Sequence, residues 1–179
     1  MKTYLQKFIG KKATLLGVGP MSINCIDACC ELASSKVPIM LIASRRQIDS
    51  EEFGGGYVEN WTTSKYSKYV LKKNKNIILC RDHGGPWQNN LEVEKKLNLK
   101  DAMKSAKISY QKDIDNNFKI IHIDTSLNYS GIKLTLKESL SRLFELLVFC
   151  NDYAKKKNKK IIFEVGTEEQ SGTTNTSKK

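Results

Sequence analysis

Apolar residues recur along the chain in five short runs, separated by longer segments with helical periodicity. The runs are mostly non-alternating, which is typical of strands that are buried on both faces of a sheet. They are ATLLGV (13–18), VPIMLIA (37–43), NIILC (76–80), KIIHID (119–124) and KIIFEV (160–165). The pattern therefore predicts five buried strands.

The segments between these runs predict helices. Ser22 can cap INCIDACCELA, and Thr62 or Thr63 can cap KYSKYVLKK, because a hydroxyl at that position accepts a backbone N–H. LKDAMKSAKISYQKDI and KESLSRLFELLVFCNDYAKKK carry two further helical patterns. Alternation of strands and helices predicts a parallel sheet with right-handed crossovers.

Two closures of such a sheet compete, an open doubly wound sheet and a (β/α) barrel. Gly17-x-Gly19 is a weak dinucleotide fingerprint, since it lacks a third glycine before the helix and an acidic residue at the end of the second strand. Polar groups follow every predicted strand. Barrel enzymes build their sites at the carboxyl ends of their strands, so the pattern favours an α/β fold like a TIM barrel. A full barrel needs about eight strands and about 250 residues. We therefore expect an incomplete barrel over residues 1–169 and a disordered tail at 170–179.

Composition narrows the classes of function. The net charge of +11 favours anionic partners in general, but a lysine- and asparagine-rich composition explains it without nucleic acid, which stays a third hypothesis. No apolar run is long enough for a membrane span and no secretory signal is recognisable, so a cytoplasmic location is expected. The five cysteines form no C-x-x-C pair, which argues against a disulfide framework and a cysteine zinc site.

Asp82 and His83 adjoin at the end of the third predicted strand and precede two glycines. An imidazole is a competent metal ligand, and a neighbouring carboxylate can transfer a proton for a metal-polarised substrate. A turn-capping Asp82 beside a hydrogen-bonded His83 is an equal alternative. Because alternation along a strand would send the two side chains to opposite faces, we expect the strand to end before them.

The fourth predicted strand carries His122 and Asp124, which are two residues apart and so face the same way. A buried His122 hydrogen-bonded to Asp124 is favoured over a metal ligand. Asp124 with Ser126 is the better functional pair, at the place where a substrate hydroxyl or phosphate would lie. Gln47 follows the second strand at the corresponding position.

Glu164, Gly166 and Glu168 share a face of the fifth predicted strand and its extension. A buried strand rarely carries a carboxylate unless it is paired or binds a cation, so this is the strongest physical signal in the chain. FGGGY (53–57) carries three glycines that can expose backbone amides to an anion. A flexible loop over the barrel mouth is the equal alternative.

These segments in this order resemble the accessory subunits of tagatose-bisphosphate aldolase, within the class II ketose-bisphosphate aldolase barrels. The resemblance runs from Leu16 to Gly172, looks like an N-terminal half, and rests on FGGGY, IILCRDHGGPWQ, KIIHIDTS and EVGTEEQSG. By resemblance to the zinc-dependent members, Asp82 is the catalytic acid/base and His83 and Glu164 are metal ligands. The residues placed on the substrate side are Gln47, Asp124, Ser126 and Glu168.

The resemblance implies reversible aldol cleavage of a ketose (bis)phosphate, such as tagatose 1,6-bisphosphate, to dihydroxyacetone phosphate and an aldehyde, with zinc as cofactor. The chain departs from the family in having no histidine after His122, so it lacks the family's further zinc ligands, and we expect the isolated chain to be inactive. A non-catalytic subunit that stabilises a partner aldolase is the alternative. Association with that partner or with a second copy is expected from the exposed sheet edges.

Overall fold

The computed structural model describes residues 14–128 and 134–166. Its single sheet has five parallel strands in the order β1-β2-β3-β4-β5. The strands are β1 Leu16–Val18, β2 Ile39–Ser44, β3 Ile77–Gly84, β4 Ile120–Asp124 and β5 Ile162–Gly166. The predicted parallel α/β fold is confirmed, and the sheet stays open, as an incomplete barrel would.

Helices follow the strands in turn, and all of those predicted are present. They are α1 Ile23–Leu32, α2 Thr63–Lys73, α3 Asn90–Glu94, α4 Leu99–Asp115 and α5 Leu136–Lys156, with a short 3₁₀ turn at Glu51–Phe53. Ser22 caps α1 as predicted, and Thr62 rather than Thr63 caps α2. In the described part of the chain, none of these helices has the length and apolar character needed to cross a membrane.

The long helices all pack on one face of the sheet. The apolar clusters on that face combine alternate strand residues with residues of α1 and α2, or of α4 and α5. Strands that advance in one direction with right-handed crossovers leave their helices on one side, as in a (β/α) barrel. The opposite face, here called the helix-free face, carries a cluster made of strand residues alone: Met40, Ile42, Ile78, Cys80, Ile120 and Ile162.

A β-bulge interrupts the pairing of β3 with β4. Arg81 pairs with Ile121 and Gly84 pairs with Ile123, so two residues of β3 stand opposite His122 alone. Those two residues are Asp82 and His83, and His83 has a φ of 39°. The strand therefore does not end before Asp82, as the sequence had led us to expect. The bulge instead breaks the alternation and brings both side chains to the same side.

Two arginines buried beneath the helices fix the loops at the carboxyl ends of the strands. Arg81 is bidentate to Asp113, at 2.8 and 2.6 Å. Arg45 is paired with Asp49 at 3.0 Å and with Glu92 at 2.6 Å. Both guanidinium groups are fully buried, and such charges are tolerated in an interior only when they are paired and hydrogen-bonded.

The loop that follows His83 is held from two sides. Arg45 Nη1 donates to the Gly85 carbonyl at 2.7 Å. Gly85 has a φ of 144°, and a Cβ built there would lie 1.9 Å from the Asp124 carbonyl oxygen. Only glycine fits this close approach of two backbones, so the end of β3 lies directly against the end of β4.

Candidate metal centre

Asp82, His83 and His122 form a cluster at the carboxyl ends of β3 and β4. Asp82 Oδ1 lies 3.8 Å from His83 Nε2 and 3.6 Å from His122 Nδ1. One ligand atom from each residue falls within 4.8 Å of the other two. The cluster exists because the bulge places Asp82 and His83 together opposite His122.

Asp124 lies beneath His83 and orients its ring. His83 Nδ1 and Asp124 Oδ2 are 2.7 Å apart, and because an ionised carboxylate only accepts, Nδ1 is the donor. The Asp124 side chain is 1% exposed and also accepts from Gln88 Nε2 at 2.9 Å and from the Ser126 backbone at 2.9 Å. This arrangement turns His83 Nε2 towards Asp82, as second carboxylates do for metal-binding histidines.

His122 contributes a ring nitrogen that acts as an acceptor. The backbone N–H of His83 donates to His122 Nδ1 at 3.3 Å. Among the described residues, His122 Nε2 is buried without a hydrogen-bond partner. Gly166 packs against that atom, since a Cβ at position 166 would lie 2.2 Å from it. The expected hydrogen bond of His122 to Asp124 is not formed, because Asp124 is bonded to His83 instead.

The two imidazoles shape the electrostatics of Asp82. Burial opposes its ionisation, but interaction with His122 and the charge of His83 outweigh burial and lower the pKa of Asp82. The hydrogen bond that His83 donates to Asp124 raises the pKa of His83. Asp82 is therefore a carboxylate at neutral pH, and its Oδ1 faces two nitrogens, one of which already accepts a hydrogen bond.

Two neighbouring cavities open beside the cluster. The first, of about 360 Å³, is lined by Asp82 and His83 together with Arg46, Tyr57 and three further residues, Ser44, Gln47 and Gln88. The second, of about 260 Å³, shares Arg46 and Tyr57 with the first. The rest of its wall includes the glycine loop (54–56) and the amides of Asn60, Asn89 and Asn90.

Of the residues predicted on the substrate side, Gln47 reaches the first cavity. Its Oε1 accepts from the Ser44 backbone at 2.9 Å and its Nε2 lies 3.2 Å from Met21 Sδ. Ser126 Oγ is buried without a hydrogen-bond partner in the described part of the chain. Glu168 lies outside the described residues. Substrate contact by these residues, and by the buried Asp124, stays a prediction.

Glu164 is not a member of the metal cluster. It pairs in register with His122 on the neighbouring strand, but it is exposed on the outer strand β5, so the expectation of a buried carboxylate was wrong. Burial, with the charges of Glu164 and Asp82, raises the pKa of the Cys80 thiol to about 12. Glu164 therefore acts electrostatically on the helix-free face, and its role as a metal ligand stays a prediction.

The backbone amides of the FGGGY loop are not available to an anion. Gly54, Gly55 and Gly56 donate to the carbonyls of Glu51, Ser50 and Trp61, at 3.1, 3.1 and 3.2 Å. The glycines serve steric needs instead. A Cβ on Gly56 would lie 2.1 Å from the Gln47 carbonyl oxygen, so the loop packs closely against the end of β2.

Sequence reasoning undervalued His122 as a ligand and did not single out Arg46, Tyr57 or Gln88. A signal for His122 was present, because period-2 alternation already put it on the face of β4 that ends in Asp124. For Arg46 the signal was its position directly after β2, where strand ends meet in a parallel sheet.

The fold and site together define a parallel α/β protein of barrel-type winding with polar groups at the carboxyl ends of its strands. No protein-family model matches the sequence, and no curated protein matches it. The structure is similar to the crystal structure of a probable tagatose 6 phosphate kinase from Sinorhizobium meliloti 1021, with a TM-score of 0.68 and 21% identity. The match covers 87% of this chain and 39% of that protein. The likeness shows a shared fold, and this chain spans about two fifths of its neighbour's length.

Proposed function

We propose that this chain binds a divalent cation through Asp82, His83 and His122 and acts with it on a phosphorylated ketose, in a cleavage like that of class II aldolases. One observation carries the proposal. Asp82, His83 and His122 each place one ligand atom within 4.8 Å of the other two, and Asp82 Oδ1 lies 3.8 Å from His83 Nε2 and 3.6 Å from His122 Nδ1. A cation is stabilised by such a group of ligand atoms, and at His122 Nδ1 it would replace the long hydrogen bond from the His83 backbone. The resemblance to aldolase segments and the sugar-phosphate name of the structural neighbour support the substrate class.

The donor set suits zinc. Imidazole nitrogens and a carboxylate oxygen are typical zinc ligands, and catalytic zinc sites have three protein ligands and one open position. The cluster differs from the sequence-based pair of His83 and Glu164, because His122 takes the place of Glu164 and adds a second imidazole. When bound, the cation would polarise the carbonyl of the substrate.

The chain's own residues have separable roles in this proposal. Asp124 holds the proton on Nδ1 of His83, so that Nε2 keeps its lone pair for the cation. Asp82 is either the third ligand or the proton-transfer group. Proton transfer is most effective when the pKa lies near the operating pH. Because the pKa of Asp82 is lowered, we assign it the ligand role.

Metal binding can be tested without an activity assay. Chelator-treated full-length chain would be titrated with Zn²⁺ by calorimetry, and with Co²⁺ by its visible absorption. We expect one site, lost in His83→Gln and His122→Gln. Asp82→Asn distinguishes its two roles, since a ligand role predicts loss of the metal and a proton-transfer role predicts its retention. Asp152→Asn, on the exposed side of α5, is the control.

Unchanged Zn²⁺ affinity in both histidine variants would contradict the proposal. Catalysis needs a separate assay, in which zinc-loaded protein is given tagatose 1,6-bisphosphate and release of dihydroxyacetone phosphate is followed with a coupled dehydrogenase. Release that depends on zinc and on His83 supports an aldolase. Zinc binding without any release favours the second candidate below.

The second candidate is a non-catalytic subunit that associates with a partner aldolase. The observation that favours it is the helix-free face, where an apolar cluster is made by strand residues alone. Large apolar side chains are also exposed on the outer strands, including Leu16 of β1 at 54% and Val165 of β5 at 52%. Sedimentation velocity of the chain mixed with such an aldolase would reveal a complex, and a variant with Ile42→Glu on this face should not form it.

A further inference from the structure

We propose that Arg46 binds the anionic group of the substrate. In this arrangement the anionic group lies towards the cavity of the glycine loop, and the reacting end of the substrate lies at Asp82 and His83. This inference rests on the proposed function and adds the residue that recognises the phosphate. Phosphate is the expected anion, since a guanidinium fork matches its oxygens bidentately.

Among the described residues, Arg46 differs from the other three arginines because no ion pair or ring contact is formed by its side chain. Arg45 and Arg81 are fully buried and paired with carboxylates. Arg142 stacks over the Trp87 ring at 5.4 Å. Arg46 is exposed, and within residues 14–128 and 134–166 no carboxylate lies within ion-pair distance of it. Its guanidinium is therefore free to meet an anion.

Arg46 lies where the two cavities meet. It lines both of them together with Tyr57, and it is the one lysine or arginine among the described residues of either wall. Backbone bonds fix this position, because the amides of Tyr57 and Val58 donate to the carbonyls of Arg46 and Gln47 at 2.9 and 3.1 Å. The cation is thus attached to a fixed backbone although its side chain is exposed.

Arg46 shares one cavity with the metal cluster. Asp82, His83 and Arg46 all line the first cavity, which has a volume of about 360 Å³. Pockets of this volume are typical of sites for small molecules. A ligand that reaches from the cluster to Arg46 therefore has the dimensions of a small phosphorylated molecule.

The second cavity offers no competing cation for the anion. The glycine amides are engaged in internal hydrogen bonds, so the loop cannot act as a phosphate nest. The exposed side-chain amides of its wall are Asn60 and Asn90, whereas the amide of Asn89 is bonded to Asp49 and to the Leu91 backbone. Amides recognise hydroxyls, so the cavity fits a ligand that combines one anionic group with several hydroxyls, which is the chemistry of a sugar phosphate.

The test compares tagatose 1,6-bisphosphate with unphosphorylated tagatose on chelator-treated full-length protein, so that phosphate cannot coordinate a metal. Calorimetry should show that Arg46→Gln weakens binding of the bisphosphate at least tenfold and leaves the weak binding of tagatose unchanged. Arg46→Lys should give an intermediate loss, because it keeps the charge and loses the fork. Lys65→Gln, exposed on α2, removes the same charge elsewhere and should bind as wild type.

Equal bisphosphate affinity in wild type and Arg46→Gln would overturn the inference, as would an equal loss in Lys65→Gln or no binding to wild type. Zn²⁺ titration of Arg46→Gln separates the two proposals. If Arg46→Gln binds zinc normally and binds the bisphosphate as well as wild type does, only the role of Arg46 is contradicted. If the wild type binds no zinc but its bisphosphate binding still depends on Arg46, only the proposed metal site is contradicted.

Discussion

The imidazole of His83 and the carboxylate of Asp124 are 41 positions apart in sequence and 2.7 Å apart in the structure. The carboxylate is buried and the imidazole side chain is 32% exposed, so one end of the pair is fixed and the other reaches the cavity. A fixed carboxylate determines which ring nitrogen carries the proton, and therefore which nitrogen is presented to a ligand.

Replacing Asp124 by Asn should lower the pKa of His83, because the hydrogen bond that His83 Nδ1 donates to the carboxylate is the main cause of its elevation. NMR titration of the imidazole in chelator-treated protein would measure the change.

The same pair predicts how stability depends on pH. For a histidine with a raised pKa, the stabilisation is full below about pH 6.5, the pKa in the unfolded state, and is lost as pH rises through the pKa of the folded state. Chemical unfolding should show this loss in wild type and much less of it in Asp124→Asn. An unshifted pKa would contradict the assignment, and Asp152→Asn is the control.

Glu164→Gln should leave zinc affinity within about twofold, a change of under ~0.5 kcal/mol. The reason is that Glu164 is exposed on β5 and lies outside the group formed by Asp82, His83 and His122. Calorimetry beside the His83→Gln variant would measure it. A large loss of affinity would show that the sequence-based ligand pair of His83 and Glu164 is the correct one.

Asp113→Asn should reduce the free energy of unfolding by about 3–5 kcal/mol, because it leaves the buried Arg81 charge without its partner. Asp115→Asn is the matched control two residues further along α4. Asp115 is 36% exposed and pairs with Lys157 at 3.1 Å, and such surface pairs contribute about 0–1 kcal/mol. Urea denaturation of both variants would measure the difference. Equal losses would mean that the buried pair adds nothing beyond a surface pair.

Gly85→Ala should destabilise the protein by about 3 kcal/mol or more, since its Cβ would lie 1.9 Å from the Asp124 carbonyl oxygen. Gly54→Ala is the control, because Gly54 also has a positive φ, of 75°, but open space within 4 Å. That control should cost about 1–2 kcal/mol for the left-handed conformation. Thermal unfolding would compare the two, and a Gly85→Ala variant as stable as Gly54→Ala would contradict the close approach.

The elements were predictable from the sequence because local rules govern them. Apolar runs marked all five strands, and the hydroxyl of Ser22 marked the start of α1. The sequential strand order followed from the preference for a barrel, because polar groups follow every predicted strand. The short helix α3 carried no periodic signal over its five residues and was missed.

The site was less predictable because it depends on one departure from regular pairing. Alternation along a strand separates Asp82 from His83, and no local signal marks a bulge opposite His122. The register of β3 against β4 decides where the bulge falls, and register depends on tertiary structure. The same gap explains why Asp124 was assigned to His122, its neighbour on the strand, rather than to His83, its neighbour in space.

Over the described residues, 14–128 and 134–166, the sheet ends at β1 and at β5, and both outer strands run parallel to their neighbours. A sixth strand could hydrogen-bond to the outer edge of β5. If that strand ran parallel to β5, its carboxyl-terminal residues would lie at the rim that holds His83 and His122. Whatever lengthens this sheet, whether more of a polypeptide or another subunit, would therefore also bring new side chains to the metal cluster.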